Sequence, residues 1–212
     1  MAENKKKILN LFYIFITAHL FLWTAVPTIV NQNLPLDTIE ALAWGSNLDW
    51  GFNKHPPLSA FFLEIFYRVF GPQDWAYYLL SQIFVIISFY FVFKLSNELL
   101  NNLKLSFISV LLLEAIYFYN FTSPEFNVNV SQLPFWSLTV FFTWKIFKKK
   151  EPNIFDLIFL GIFAAAGFLS KYLFLYLLIS IDLLFVYLIL VLKERKFQFT
   201  YLISLEVFIL LL

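Results

Sequence analysis

Long apolar runs constrain this chain more than any other feature. They lie at about 8–30, 75–97, 104–122, 130–147, 155–170, 172–192 and 199–212. About 20 apolar residues cross a ~30 Å hydrocarbon layer as a helix. Inside lipid each backbone N–H and C=O must be satisfied within the segment, which an α-helix achieves. Charged residues make up only 14% of the 212, against roughly 25% in soluble domains. The sequence therefore predicts an all-α polytopic membrane protein with about seven transmembrane helices, forming a single transmembrane domain over 1–212. The basic start before 8–30 resembles a secretory signal, but the run is long and no small-x-small cleavage site follows. It reads as a retained first helix, kinked or ended near Pro27. The stretch 155–192 is too long for one crossing, and Ser170-Lys171-Tyr172 is its expected reversal. The run 199–212 stops inside a helix, so the reading expects an incomplete last span and a missing C-terminal remainder.

Lysine and arginine mark orientation, because cytoplasmic loops are enriched in both. With the N-terminus inside, twelve of the fifteen fall on the cytoplasmic side: Lys5, Lys6, Lys7, Lys94, Lys104, Lys145, Lys148, Lys149, Lys150, Lys193, Arg195 and Lys196. Lys54, Arg68 and Lys171 remain outside. Two outer loops are expected, at about 31–74 and 122–130. The chain has no cysteine, which excludes disulfides, thiolate metal sites and a thiol nucleophile. A net charge of +1 gives no basis for a nucleic-acid partner.

Between Leu36 and Gly71 the apolar pattern breaks, gathering Asp37, Glu40, Asp49, Lys54, His55, Glu64 and Arg68. Charge beside so much hydrocarbon is costly, which points to chemistry at the membrane surface. Asp37-Thr-Ile-Glu40 has the form of a capping box, in which Asp37 accepts from the Glu40 N–H; a functional role is the other reading. The prolines after Lys54-His55 hold His55 extended and suit the first turn of a helix. Leu58, Phe61, Phe62, Ile65, Phe66 and Val69 then form one stripe. Ser59, Glu64 and Arg68 take the other face, with Glu64 and Arg68 paired at i,i+4, and Gly71-Pro72 stops the helix. This is an amphipathic interfacial helix, either a passive surface element or a guide for substrate. His55 alone is readable as a solvated surface histidine.

Further polar residues lie on the same expected face. Ser123-Pro124-Glu125 opens a loop where Glu125 is either an ordinary loop carboxylate or a second functional one. Lys171 ends a helix, either snorkelling or marking a site. Glu114 and Asp182 fall inside apolar runs, to be paired or to line a cavity. Gly161-Ile-Phe-Ala-Ala-Ala-Gly167 suits close helix packing. Asn120-Phe-Thr and Asn129-Val-Ser match the short glycosylation acceptor pattern, which arises readily by chance.

Three motifs, in order, resemble the GT-C class of membrane glycosyltransferases: Asp37-x-x-Glu40 with Lys54-His55-Pro-Pro, Ser-Pro-Glu125 with Leu-Pro-Phe-Trp136, and Leu-Ser-Lys171-Tyr172. Within that class they resemble the dolichyl-phosphate-mannose protein mannosyltransferase group. That group includes bacterial enzymes that move aminoarabinose or galacturonate from undecaprenyl phosphate onto lipid A. The resemblance implies inverting transfer of a sugar from a polyprenyl-phosphate donor to a hydroxyl of a glycolipid or other glycan acceptor. Asp37 corresponds to the family's proposed base. His55 takes the place of a basic residue that helps hold the donor phosphate, a role Lys54 can share. Glu125 matches the acidic second-loop position, where relatives often carry Asp or Asn. Lys171, followed by Tyr172, matches the motif lysine, and Glu40 joins the substrate-binding set. Membrane lipids are the surroundings. No cofactor is specified, and a divalent cation requirement stays open. The expected location is the bacterial inner membrane with the active site on the periplasmic face. A non-catalytic lipid or sugar-lipid transporter, or an inactive fragment, is the alternative.

Overall fold

The computed structural model describes residues 2–149, 151–194 and 196–212; Lys150 and Arg195 of the charge pattern lie outside the described residues. The described residues are helical throughout, joined by turns and loops, as expected. Helix α1 spans Ala2–Val30 and carries Pro27 near its end. Helices α2 (Leu36–Gly45) and α3 (Leu58–Phe70) occupy the loop expected on the outer side. There follow α4 (Asp74–Leu100), α5 (Leu103–Glu114), α6 (Val128–Lys148), α7 (Ile154–Ser170), α8 (Leu175–Val186) and α9 (Lys196–Leu210). A 3₁₀ turn over Tyr172–Phe174 makes the reversal expected at Ser170-Lys171-Tyr172. A π-helical turn, Tyr187–Val191, extends α8.

The number of crossings differs from the expected seven. Among the described residues, three segments are long and apolar enough to cross a membrane: Glu3–Val30, Asp74–Leu100 and Tyr172–Val191. Ile154–Ser170 is apolar but shorter. The run 104–122 yields only the 12 residues of α5. The reason is local: the Asn120 Nδ2 donates to the Glu114 carbonyl at 2.5 Å, taking an acceptor that a continuing helix would use. A 3₁₀ turn over Tyr117–Tyr119 follows.

The helices pack as a row. Helix α1 lies on α4, α4 on α6, α6 on α7 and α7 on α9, while α5 leans on α4. Buried Phe12, Phe89, Phe126, Leu160 and Phe174 belong to one continuous apolar cluster along this row. The small residues of α7 allow close packing as expected: a Cβ on Gly161 would meet the Ser204 carbonyl of α9 at 2.6 Å. Helix α6 has 21 residues and is therefore about 30 Å long. Lys145 and Lys149 near one end hold Asp156 at 2.6 and 2.8 Å, and Lys148 holds Glu98 at 2.6 Å. Asn127 and Asn129 sit at the other end. Two polar groups thus flank roughly one hydrocarbon thickness.

Helices α2 and α3 pack on each other, and α3 rests against α4, α6 and α7. The Glu64–Arg68 pair forms at 2.7 Å, as the spacing predicts. Helix α3 docks through one of its two faces. Ser59, Ala60, Leu63 and Glu64 face the protein, whereas Ile65 and Val69 face outward. The nominally polar face is the docked one, because Gly45 brings the α2 backbone directly over Ala60. A Cβ at Gly45 would lie 2.7 Å from the Ala60 carbonyl oxygen. That oxygen is backbone and cannot swing aside. Gly45→Ala should therefore destabilise the full chain by about 1–3 kcal/mol, read as a lowered thermal unfolding midpoint in detergent. An unchanged midpoint would show that α2 does not sit this close to α3.

Candidate functional site

Helix α2 begins two residues earlier than a capping box at Asp37 requires. Its N-cap is Pro35, and no side chain caps it. The capping reading is therefore corrected: Asp37 lies inside the first helical turn, and both its polar ends are used across the chain instead. Its backbone N–H donates to Glu125 Oε1 at 3.2 Å, and its Oδ2 accepts from Asn127 Nδ2 at 3.3 Å. One residue on, the buried Thr38 hydroxyl donates to the Phe126 carbonyl at 3.2 Å. The first outer loop is thereby sewn to the second. The second loop is itself held rigid, since Asn127 Oδ1 caps α6 by accepting from the N–H groups of Asn129 and Val130 at 2.9 and 3.2 Å.

Glu40 does not cap either. Its carboxylate takes Lys54 Nζ at 2.6 Å, and that contact, by hydrogen bond first and charge second, raises the Lys54 pKa above its ordinary value. Lys171 caps the end of α7 through its backbone, and its Nζ donates to Asn129 Oδ1. The third motif therefore meets the second directly. His55 is half-buried, and its ring lies edge-on to Trp44 at 5.9 Å, with Trp44 stacked on Phe52 at 5.2 Å. Burial lowers the His55 pKa, and the Lys171 charge lowers it further; Glu40 and Asp37 pull the other way, and Lys54 adds a smaller lowering push. His55 is therefore neutral near pH 7, so the fixed positive charges here belong to Lys171 and Lys54. Glu125 moves upward, chiefly from burial, with the Asp37 charge adding and the Asp37 N–H opposing.

Asp37, Glu40, Trp44, His55, Ser59 and Asn127 line a narrow cleft of about 20 Å³. The Ser59 hydroxyl, at the start of α3, is fully buried there with no hydrogen-bond partner. Glu125 borders a second, wider groove, walled by Trp23, Val26, Val30, Asn31 and Phe121. The two carboxyls thus stand between two openings.

Asp37, Glu40, Lys54, His55, Glu125 and Lys171 are therefore brought together. Tyr172 is not: its exposed ring packs on Phe168 at 5.5 Å, beyond the reversal. The sequence reading passed over Ser59, Asn127 and Asn129 as site residues. Asparagine near a helix N-terminus is common, and nothing in the pattern marks Asn127 as a donor to Asp37 or Asn129 as an acceptor for Lys171. Among the described residues no set of three or more His, Asp or Glu side chains is gathered as metal ligands.

With this geometry in place, comparison with known proteins is informative. Residues 54–212 match the family model of the dolichyl-phosphate-mannose-protein mannosyltransferases. That is well over half of the chain, and the chain belongs to this family of membrane glycosyltransferases. No curated protein and no solved structure matches. The matched segment contains Lys54, His55, Glu125, Lys171 and Tyr172; Asp37 and Glu40 precede it.

Because the Lys171 charge lowers the His55 pKa, Lys171→Gln should raise it. An NMR titration of the His55 imidazole in the full chain would show protonation beginning at higher pH. A titration unmoved by the substitution would place Lys171 away from this pocket.

Proposed function

We propose that the chain moves a sugar from a polyprenyl-phosphate donor to a hydroxyl on a cell-envelope acceptor, with inversion at the anomeric carbon. The observation that carries this reading is the convergence of Asp37, the Glu125 loop and Lys171 from three separated segments onto one end of the bundle. The donor head group lies over the mouth of this narrow cleft, and its phosphate lies toward Lys171, His55 and the Ser59 end of α3. A helix N-terminus favours such an anion. A neutral His55 donates one ring N–H to it; the Lys171 ammonium supplies charge-assisted hydrogen bonding. The acceptor hydroxyl arrives from the wider groove beside Glu125. Asp37 takes its proton as the oxygen bonds to the anomeric carbon. The bond from that carbon to the phosphate oxygen breaks, and polyprenyl phosphate leaves with the electron pair. Trp44 and Phe52 offer flat apolar faces to the sugar.

In this reading residues 1–212 form one membrane domain with its N-terminus in the cytoplasm. The outer loops at about 31–74 and 122–130 face the periplasm across a bacterial inner membrane. The excess of lysines at the Lys145–Lys149 end of α6 supports that orientation.

The test is sugar transfer in membranes from labelled polyprenyl-phosphate sugars, using the full reading frame. Asp37→Asn should lower turnover by about 10²–10⁴-fold at equal expression, the usual range for a lost general base. Ser59→Ala should raise the donor KM with little effect on kcat. Full turnover in the Asp37 variant would remove Asp37 as base. Sugar-lipid flux across vesicles without covalent transfer would favour the transporter reading.

A further inference from the structure

Sequence inspection passed over His19, yet it is the most enclosed ionisable side chain in α1. It is 3% exposed and lies eleven residues before the end of α1, about 16 Å along the axis. Phe15, Trp23 and Phe89 surround the ring at 6.3, 6.4 and 5.2 Å. An ionisable group at that depth is costly unless it is paired. Both ring nitrogens are engaged. Nε2 lies 2.9 Å from Gln82 Oε1 of α4, and Nδ1 lies 2.9 Å from Glu114 Oε2 at the end of α5. The second approach falls outside hydrogen-bond geometry, so it is a close contact rather than a straight hydrogen bond.

Proton placement follows from the neighbours. The fully buried Gln82 donates through Nε2 to Ser123 Oγ at 3.2 Å. The Ser123 hydroxyl has the Asn120 and Tyr119 carbonyls as acceptors, at 3.1 and 3.2 Å, so its own hydrogen is directed there. Gln82 thus turns its carbonyl to His19, and His19 Nε2 carries a hydrogen. At Nδ1 a bare lone pair and a bare carboxylate oxygen would repel at 2.9 Å. One proton must therefore lie on Nδ1 or on Glu114. Ser81 completes the chain by donating to the Ser123 carbonyl. Ser123 is two residues from Glu125, whose carboxylate receives the Asp37 N–H.

We infer that His19 and Glu114 hold a single proton between them inside the bundle, and that through Gln82 and Ser123 they position the Glu125 loop against Asp37. These are positioning residues, and only their effect on catalysis rests on the function proposed above. The pair ties α1, α4 and α5 together at the base of the second outer loop. Polar contacts of this kind have one satisfied arrangement in an apolar surround, so they fix the loop more narrowly than packing alone.

The chain has only two histidines, so ¹⁵N-histidine labelling with His55→Ala isolates His19. In the full chain in nanodiscs, Nε2 should be protonated, and Glu114→Ala should shift the Nδ1 ¹⁵N resonance to that of a free acceptor, whichever of the two groups holds the proton. A protonated Nδ1 with a bare Nε2, or no response to Glu114→Ala, would overturn the proton assignment. Hydrogen exchange reads the positioning without any activity. Glu114→Ala and His19→Gln should speed exchange of the Ser123–Asn127 amides by about tenfold, while Leu112→Ala, on the exposed face of α5, leaves it unchanged. Equal exchange in all variants would overturn the positioning role. The milder Glu114→Gln keeps a hydrogen-bond donor for Nδ1 and should retain slow exchange, which separates this role from general loss of fold. In the transfer assay Glu114→Ala should lower kcat with an unchanged donor KM, and Glu114→Gln should restore it. If the spectroscopic results hold while no form transfers sugar, the proposed reaction fails and the positioning network stands.

Discussion

The contact between Asp37 and the Glu125–Asn127 loop is the interaction on which the site depends. The partners are about ninety residues apart in sequence, and two hydrogen bonds longer than 3 Å join them. Such bonds contribute only about 1 kcal/mol each and cannot bring the segments together unaided. The helix row does that. Helix α4 returns from the first outer loop, α6 descends from the second, and the two pack along their lengths. Fixing those helices places the loop ends within reach, and the hydrogen bonds then select one arrangement.

The same logic explains why the basic side chains of these loops have local partners. Lys54 meets Glu40, Arg68 meets Glu64, and Lys171 meets Asn129. Near hydrocarbon an unpaired charge is expensive, so side chains that would be solvated on a soluble protein are drawn into a network. His55 is the exception in character. Burial and neighbouring cations keep it neutral, leaving a hydrogen-bond donor whose charge can change when an anion arrives.

Much of this was legible in the sequence. The apolar runs gave the helices and their order, and the Ser170-Lys171-Tyr172 reversal fell where the chain turns. Asp37, Glu125 and Lys171 were placed on one face by lysine bias alone, and the structure joins them. Two features were less legible. The early end of α5 depends on Asn120 reaching back to a carbonyl, which hydropathy does not register. Which face of α3 docks on the protein was not legible, because Gly45, in another helix, decides which side approaches. His19 was missed for a related reason: a single histidine among phenylalanines carries no pattern, and its partners come from α4 and α5 rather than from its own helix. Tyr172 shows that adjacency in a motif does not fix where a ring lies: next to Lys171 in sequence, it packs on Phe168 instead.

The most direct test of this account is a disulfide formed across the two outer loops. The chain has no native cysteine, so Thr38→Cys combined with Asn127→Cys introduces a single possible pair. Mild oxidation of the full chain in native membranes should form the intramolecular bridge rapidly, seen by mass spectrometry after cleavage between the loops. Free thiols at both positions under conditions that oxidise a control pair across α4 and α6 would contradict the docking of the first loop on the second, and with it the site built on that contact.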